Sequence, residues 1–123
     1  MAKILIVDDD SYIIDVVKVA LEIQGYEIID AFDGDEALAK TIHEFPDLIL
    51  LDLLMPKMDG WEVYEQLKGE TKTAHIPIII ISALSEETSM PEGMEVEDYI
   101  AKPFEMNDLL NRVKKVLRKY ERG

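Results

Sequence analysis

Short bursts of apolar residues alternate along the chain with stretches whose apolar positions recur at helical spacing. The runs KILIV (3–7), LILLD (48–52) and IPIIIIS (76–82) are continuous rather than alternating, as in strands buried on both faces. YEIIDA (26–31) and VEDYIA (96–101) read as two further strands. Between them, Ile13, Val17, Ala20 and Leu21 mark a first helix that starts at Ser11 and stops at Gly25. Asp33 with Glu36, and Asp59 with Glu62, are capping pairs that open a second helix ending at Pro46 and a third reaching about Gly69. Leu109, Val113, Val116, Leu117 and Tyr120 define one face of a final helix. Between Leu84 and Glu95, Pro91 and Gly93 interrupt any helix, and at most a turn or two is expected from Ser85 to Met94. The βα alternation, repeated five times, predicts a parallel sheet with helices on each face. No linker and no internal repeat divides residues 1–123, so one domain is expected.

Composition narrows the function more than the fold. The formal net charge is −13, a field that repels nucleic acid and anionic membranes and favours a basic protein surface or a bound cation. Cysteine is absent, which removes disulfides, thiolate nucleophiles and Cys-type zinc sites. The apolar runs are far shorter than a membrane span, and the N-terminus has no signal-peptide layout, so a cytoplasmic location is expected. The basic residues of the last helix (Lys114, Lys115, Arg118, Lys119, Arg122) mostly complement its dipole.

One residue conflicts with this pattern. Asp52 ends the most apolar strand, where an isolated carboxylate costs several kcal/mol, on the order of a buried unpaired polar group. In open parallel sheets the functional crevice lies beyond the carboxyl ends of the strands. There the sequence places Asp8, Asp9 and Asp10 after strand one, Asp52 after strand three, Ser82 after strand four and Lys102 after strand five. Each has an ordinary reading alone: caps, a turn serine, a solvated lysine. As a set they make a site. Carboxylates at two neighbouring strand ends repel unless a hard divalent cation takes oxygen from both. A lysine and a hydroxyl opposite that cation suit a phosphoryl group. Asp52 is then an oxygen nucleophile beside a metal, with Lys102 as its counter-charge.

With these residues in place, ILIVDDD (4–10), DLILLDLLMPKMDG (47–60), IPIIIISA (76–83) and DYIAKPF (98–104), in this order, closely resemble the receiver domain of two-component response regulators. The resemblance implies a flavodoxin-like, doubly wound sheet of order 2-1-3-4-5. It implies that Asp52 accepts a phosphoryl group from a partner histidine kinase or phosphotransfer protein. The metal would be Mg²⁺, with Mn²⁺ or Ca²⁺ substituting in vitro. Asp9 and Asp52 would hold it directly, Asp8 through a bound water, and the Leu54 backbone carbonyl as a further ligand. Ser82 would turn toward the phosphoryl group, Lys102 would pair with it, and Tyr99 would swing inward in response. Pro103 would follow a cis peptide bond. Leu54 and Leu84 would flank the path of the hydrolytic water, and being apolar would leave the phosphorylated state long-lived. Asp10 is left as a cap, and Trp61 as helix packing close enough to report on the site.

The sequence departs from the family in SEETSMPEGMEVED (85–98), where Glu95 stands in place of an expected glycine and the helix before the fifth strand is interrupted. A short or irregular helix is expected there, ordered by phosphorylation or by a partner. Two rival classes fit less well. A haloacid-dehalogenase-type phosphatase carries its nucleophile on strand one and needs a larger core. A flavodoxin-like FMN carrier wants a Ser/Thr/Gly-rich phosphate loop, where this chain has three aspartates. The expectation is therefore a phospho-acceptor switch, either stand-alone or excised from a longer protein, that assists its own phosphorylation and dephosphorylation but is not an enzyme. Its partners would be a kinase and an unidentified downstream protein, not nucleic acid or membrane.

Overall fold

The continuous apolar runs build the central sheet, as their burial on both faces demands. The computed structural model describes residues 1–86 and 90–121. It contains β1 (Lys3–Val7), α1 (Ser11–Ile23), β2 (Glu27–Ala31), α2 (Gly34–Glu44), β3 (Leu48–Leu51), α3 (Gly60–Gly69), β4 (Ile78–Ser82), β5 (Asp98–Ala101) and α4 (Met106–Tyr120). All strand pairs are parallel and the order is β2-β1-β3-β4-β5, as predicted.

Alternate residues of the same strands feed two cores. Ile4, Ile6, Leu48, Leu50, Ile79 and Ile81 pack with Ile14, Val17 and Leu21 of α1 and with Leu109, Val113 and Val116 of α4. Leu5, Val7, Ile49, Leu51, Ile78 and Ile80 pack on the other face with Ala37 of α2 and Val63, Tyr64 and Leu67 of α3. Each fully buried Leu or Ile contributes about 1.5–3 kcal/mol, so the central strands are the most firmly held part of the molecule.

The helix starts follow the local chemistry. The Asp10 carboxylate accepts from Tyr12 N, Asp33 from Glu36 N and Asp59 from Glu62 N. Glu36 closes its box by accepting from Phe32 N at 2.7 Å. Such caps are worth about 1 kcal/mol each. α4 has no side-chain cap.

Strand ends shift by one or two residues. β4 starts at Ile78 rather than Ile76, because Pro77 has no N–H and joins the sheet only by accepting from Ile49 N. β5 starts at Asp98, because the hydroxyl of Tyr64 engages both the N–H and the carbonyl of Glu95, drawing the backbone toward α3 before it can pair. β3 stops at Leu51, so Asp52 lies just past the ladder, although its N–H still donates to Val7 O at 3.0 Å. Between β4 and β5, Met94 N donates to Pro91 O at 3.2 Å, closing a turn over the predicted interruption at Gly93. The expected short helix falls partly on residues 87–89, outside the described residues. No helix among the described residues is long and apolar enough to cross a membrane.

Candidate functional site

Parallel pairing brings the carboxyl ends of β1 and β3 side by side, Val7 opposite Leu51, so Asp8 and Asp52 emerge next to one another. Both are nearly inaccessible, at 3% and 4% exposure, while Asp9 is exposed. Oxygens of Asp8, Asp9 and Asp52 all lie within 4.8 Å of one another. Three carboxylates and no nitrogen or sulfur donor form a ligand set that suits a hard cation such as Mg²⁺. These residues fit the predicted metal.

The carboxylates have few other partners. Asp8 accepts from Asp10 N at 2.9 Å, and Asp52 accepts from Leu54 N at 3.3 Å. Burial pushes the Asp52 carboxyl up to about 6, and the charge of Asp8 adds to the rise; Lys102 and the Leu54 N–H oppose it. Lys102 reaches this pair from beyond β5. Its Nζ lies 2.8 Å from Asp8 Oδ2 and 3.5 Å from Asp52 Oδ2. The lysine expected to pair with Asp52 therefore hydrogen-bonds Asp8 and holds Asp52 at longer range. It bridges two carboxylates rather than serving one. Burial pulls the Lys102 ammonium down, but the two aspartates outweigh it, and the net shift is upward.

The other predicted residues are placed by the sheet edge. Ser82 is fully buried, aligned with Ala101 in the β4–β5 register, and its Oγ accepts from Leu84 N at 3.1 Å. Lys102 N donates to Ser82 O at 2.8 Å, tying the hydroxyl-bearing and lysine-bearing strand ends together. The Lys102–Pro103 bond is cis. Tyr99 is buried, and its hydroxyl donates to Leu84 O at 2.8 Å, so it already faces inward. Leu54 and Leu84 are both exposed. Trp61 stands edge-on to Tyr64 with ring centroids 5.7 Å apart.

Three features escaped the sequence reading. The loop from β3 to α3 turns sharply at Lys57, which has φ +70° and is spanned by a bond from Met58 N to Pro56 O. Gly60 seats the start of α3 directly on the Asp52 backbone: a methyl group there would lie 2.4 Å from Asp52 O. The Asp-Gly pair signalled a helix start but not this contact. Finally, Tyr12, Val16, Val19 and Ile23 form an exposed apolar stripe on α1, beginning beside Asp9 and Asp10. Its signal was a second apolar spacing of four, three and four residues, offset from the buried face of the same helix.

Similarity to known proteins agrees with this geometry. The response regulator receiver domain family matches residues 4–114. The chain is 40% identical over 124 residues to the DNA-binding dual master transcriptional regulator RpaA of Synechocystis, covering 99% of this chain and 52% of RpaA. It thus spans about half the length of the curated relatives it matches. Among solved structures, a CheY-like receiver domain protein from Methanospirillum hungatei superposes with a TM-score of 0.90 at 35% identity, over 99% of this chain and 98% of that one. The response regulator TrrA of Thermotoga maritima, solved in complex with Mg²⁺–BeF, gives 0.83 at 36% identity, over 94% and 98%.

Proposed function

The chain belongs to the response regulator receiver domain family, whose function is to accept a phosphoryl group on an aspartate, and from that premise we propose that Asp52 is the acceptor. The observation that carries this is the convergence of three carboxylates within 4.8 Å, with Lys102 between the two buried ones. Of the two buried carboxylates, Asp52 has the longer contacts, 3.3 Å to Leu54 N and 3.5 Å to Lys102 Nζ, so its oxygens are the less engaged and the more available to attack phosphorus.

The reaction is a displacement at phosphorus. An Asp52 carboxylate oxygen forms a bond to phosphorus as the bond to the donor's histidine nitrogen breaks, and that nitrogen leaves with its electron pair. The product is an acyl phosphate. Mg²⁺, held by Asp9 and Asp52, by Asp8 through water and by the Leu54 carbonyl, would neutralise the phosphoryl oxygens. Lys102 can turn from Asp8 toward the transferred group, and Ser82 can donate its hydroxyl to it instead of accepting from Leu84 N. That exchange frees the Leu84 peptide held at one end by Ser82 and at the other by Tyr99. The switch therefore runs from the phosphoryl group through Ser82 to Leu84 and Tyr99.

The donor would be a histidine kinase or phosphotransfer protein, as expected of the family. The stripe Tyr12, Val16, Val19, Ile23 has the spacing of a helix-packing seam and runs away from the site. A donor helix laid along it would bring a histidine near its end to Asp52. Residues 1–123 act as one receiver unit, since both cores share the same sheet, and a cytoplasmic location follows the kinase partner. RpaA's name describes DNA binding for that relative, whereas the downstream partner proposed for residues 1–123, with their net charge of −13, is a protein.

The test is incubation with a small phosphoramidate or acyl-phosphate donor and Mg²⁺, followed by intact mass. One phosphoryl group should be added, and none when a chelator removes the cation. Equal modification of Asp52→Asn at the same peptide would refute the assignment.

A further inference from the structure

From the contact between α2 and the β3–α3 loop, we infer that Gly34 is a positioning residue for phosphoryl transfer, although α2 contributes no group to the site. Gly34 is the first residue of α2, is buried, and lies against the stem of Met58. A methyl group at Gly34 would come within 2.8 Å of Met58 Sδ, 2.9 Å of its Cβ and 3.0 Å of its Cγ. The Cβ contact matters most. A methionine can swing its sulfur aside, but its Cβ is fixed to the backbone, so only movement of the loop itself relieves the overlap.

That loop is the one carrying Leu54, the residue whose N–H donates to Asp52 and whose carbonyl is the proposed cation ligand. Its shape is enforced rather than relaxed. Lys57 adopts φ +70°, uncommon for a residue with a side chain, and such strain persists only where the surroundings over-determine it. The far end is fixed by Gly60, whose N–H donates to Leu53 O at 3.0 Å and where an added Cβ would lie 2.4 Å from Asp52 O. The near side is fixed by Met58 in the Gly34 notch. α2 thus acts as the wall that sets how far the Leu54 carbonyl stands from Asp52, through a residue with no atom in the site.

This inference rests on the reading of Leu54 as a cation ligand, and the experiment separates the two. Mg²⁺-dependent phosphorylation of the full chain by a small acyl-phosphate donor is followed across a Mg²⁺ titration in the parent, Gly34→Ala, Met58→Gly and the double variant. Gly69→Ala, a glycine with open space around it, is the control. Gly34→Ala should raise the half-saturating Mg²⁺ on the order of tenfold, the scale expected for a ligand displaced by a fraction of an ångström. Saturating Mg²⁺ should restore the phosphorylated fraction, and a denaturant-unfolding curve in chelator, showing the variant folded before Mg²⁺ is added, separates this from rescue of a generally destabilised chain. In the Met58→Gly background the same Gly34→Ala change should have no effect, because the overlapping atoms are gone. Equal titrations for the parent and Gly34→Ala, or an equal loss in both backgrounds, would overturn the inference. If Gly34→Ala does not fold, the double variant decides: matching Met58→Gly supports the notch, and falling below it refutes it. A parent that shows no Mg²⁺ dependence would instead overturn the site reading itself.

Discussion

The two ends of the signalling path are held in opposite ways. At the carboxyl ends of β1 and β3, backbone rests directly on backbone: Asp52 N on Val7 O, Gly60 beneath the Asp52 carbonyl, and a strained turn at Lys57 between them. Between β4 and β5, side chains reach the backbone among the described residues: the Tyr64 hydroxyl engages Glu95 and the Tyr99 hydroxyl engages Leu84. The contrast is functional. Phosphoryl transfer loses rate steeply with misplacement, so its site must be fixed. A switch must move for a few kcal/mol, so its segment must be held by few contacts.

Gly60→Ala attacks the rigid end most severely. The overlap is with backbone, which cannot rotate away, so the loss should exceed about 3 kcal/mol. Denaturant unfolding would show it, and a change below about 1 kcal/mol would mean that α3 is less tightly seated than the structure shows.

The electrostatic cost of the site comes next. The folded Asp52 carboxyl titrates at about 6 against 3.8 for the ordinary group, so between these values the folded state binds more protons than the unfolded chain. Stability therefore falls as pH rises from about 4 to about 6 and stays lower above, by about 3 kcal/mol from this group. Asp52→Asn should stabilise the protein by up to that amount at pH 7.5 in the presence of a chelator, and by almost nothing at pH 3.5. Mg²⁺ should raise the Tm of the parent more than that of the variant. A pH-independent difference would remove burial as the cause.

The loosely tied end should respond more weakly. Tyr64→Phe deletes one hydroxyl that serves both the N–H and the carbonyl of Glu95, for about 1–2 kcal/mol. Amide exchange at Met94 and Glu95 should accelerate while phosphorylation proceeds to the same extent. Slower phosphorylation would show that the two regions are not separable in this way.

The smallest effect concerns lifetime. Leu54 and Leu84 stand exposed beside the site and offer no hydrogen bond to an attacking water. Leu54→Asn with Leu84→Asn should shorten the phosphorylated state by about tenfold by orienting that water. Decay of the labelled parent at the rate of the double variant would eliminate this role.

The amino-acid sequence alone pointed to a parallel sheet, because three unbroken apolar runs, too short for buried helices, suit strands covered on both faces. It determined the capped starts of α1, α2 and α3, because a carboxylate caps its own nearby N–H groups. It also placed Asp8, Asp9, Asp52, Ser82 and Lys102 at strand ends, where parallel topology gathers them. What it left open were interactions between elements distant in the chain. Lys102 could have paired with either buried aspartate, and only the packed geometry puts its Nζ 2.8 Å from Asp8 and 3.5 Å from Asp52. Tyr64 reads as one more apolar position on α3 until the fold brings Glu95 to its hydroxyl. Gly34 and Gly60 read as residues beside aspartate caps until the neighbouring loop and strand end fill the space that a side chain would need. Local patterns record what a residue does to its own segment; clearance and pairing across the fold exist only once the segments have packed.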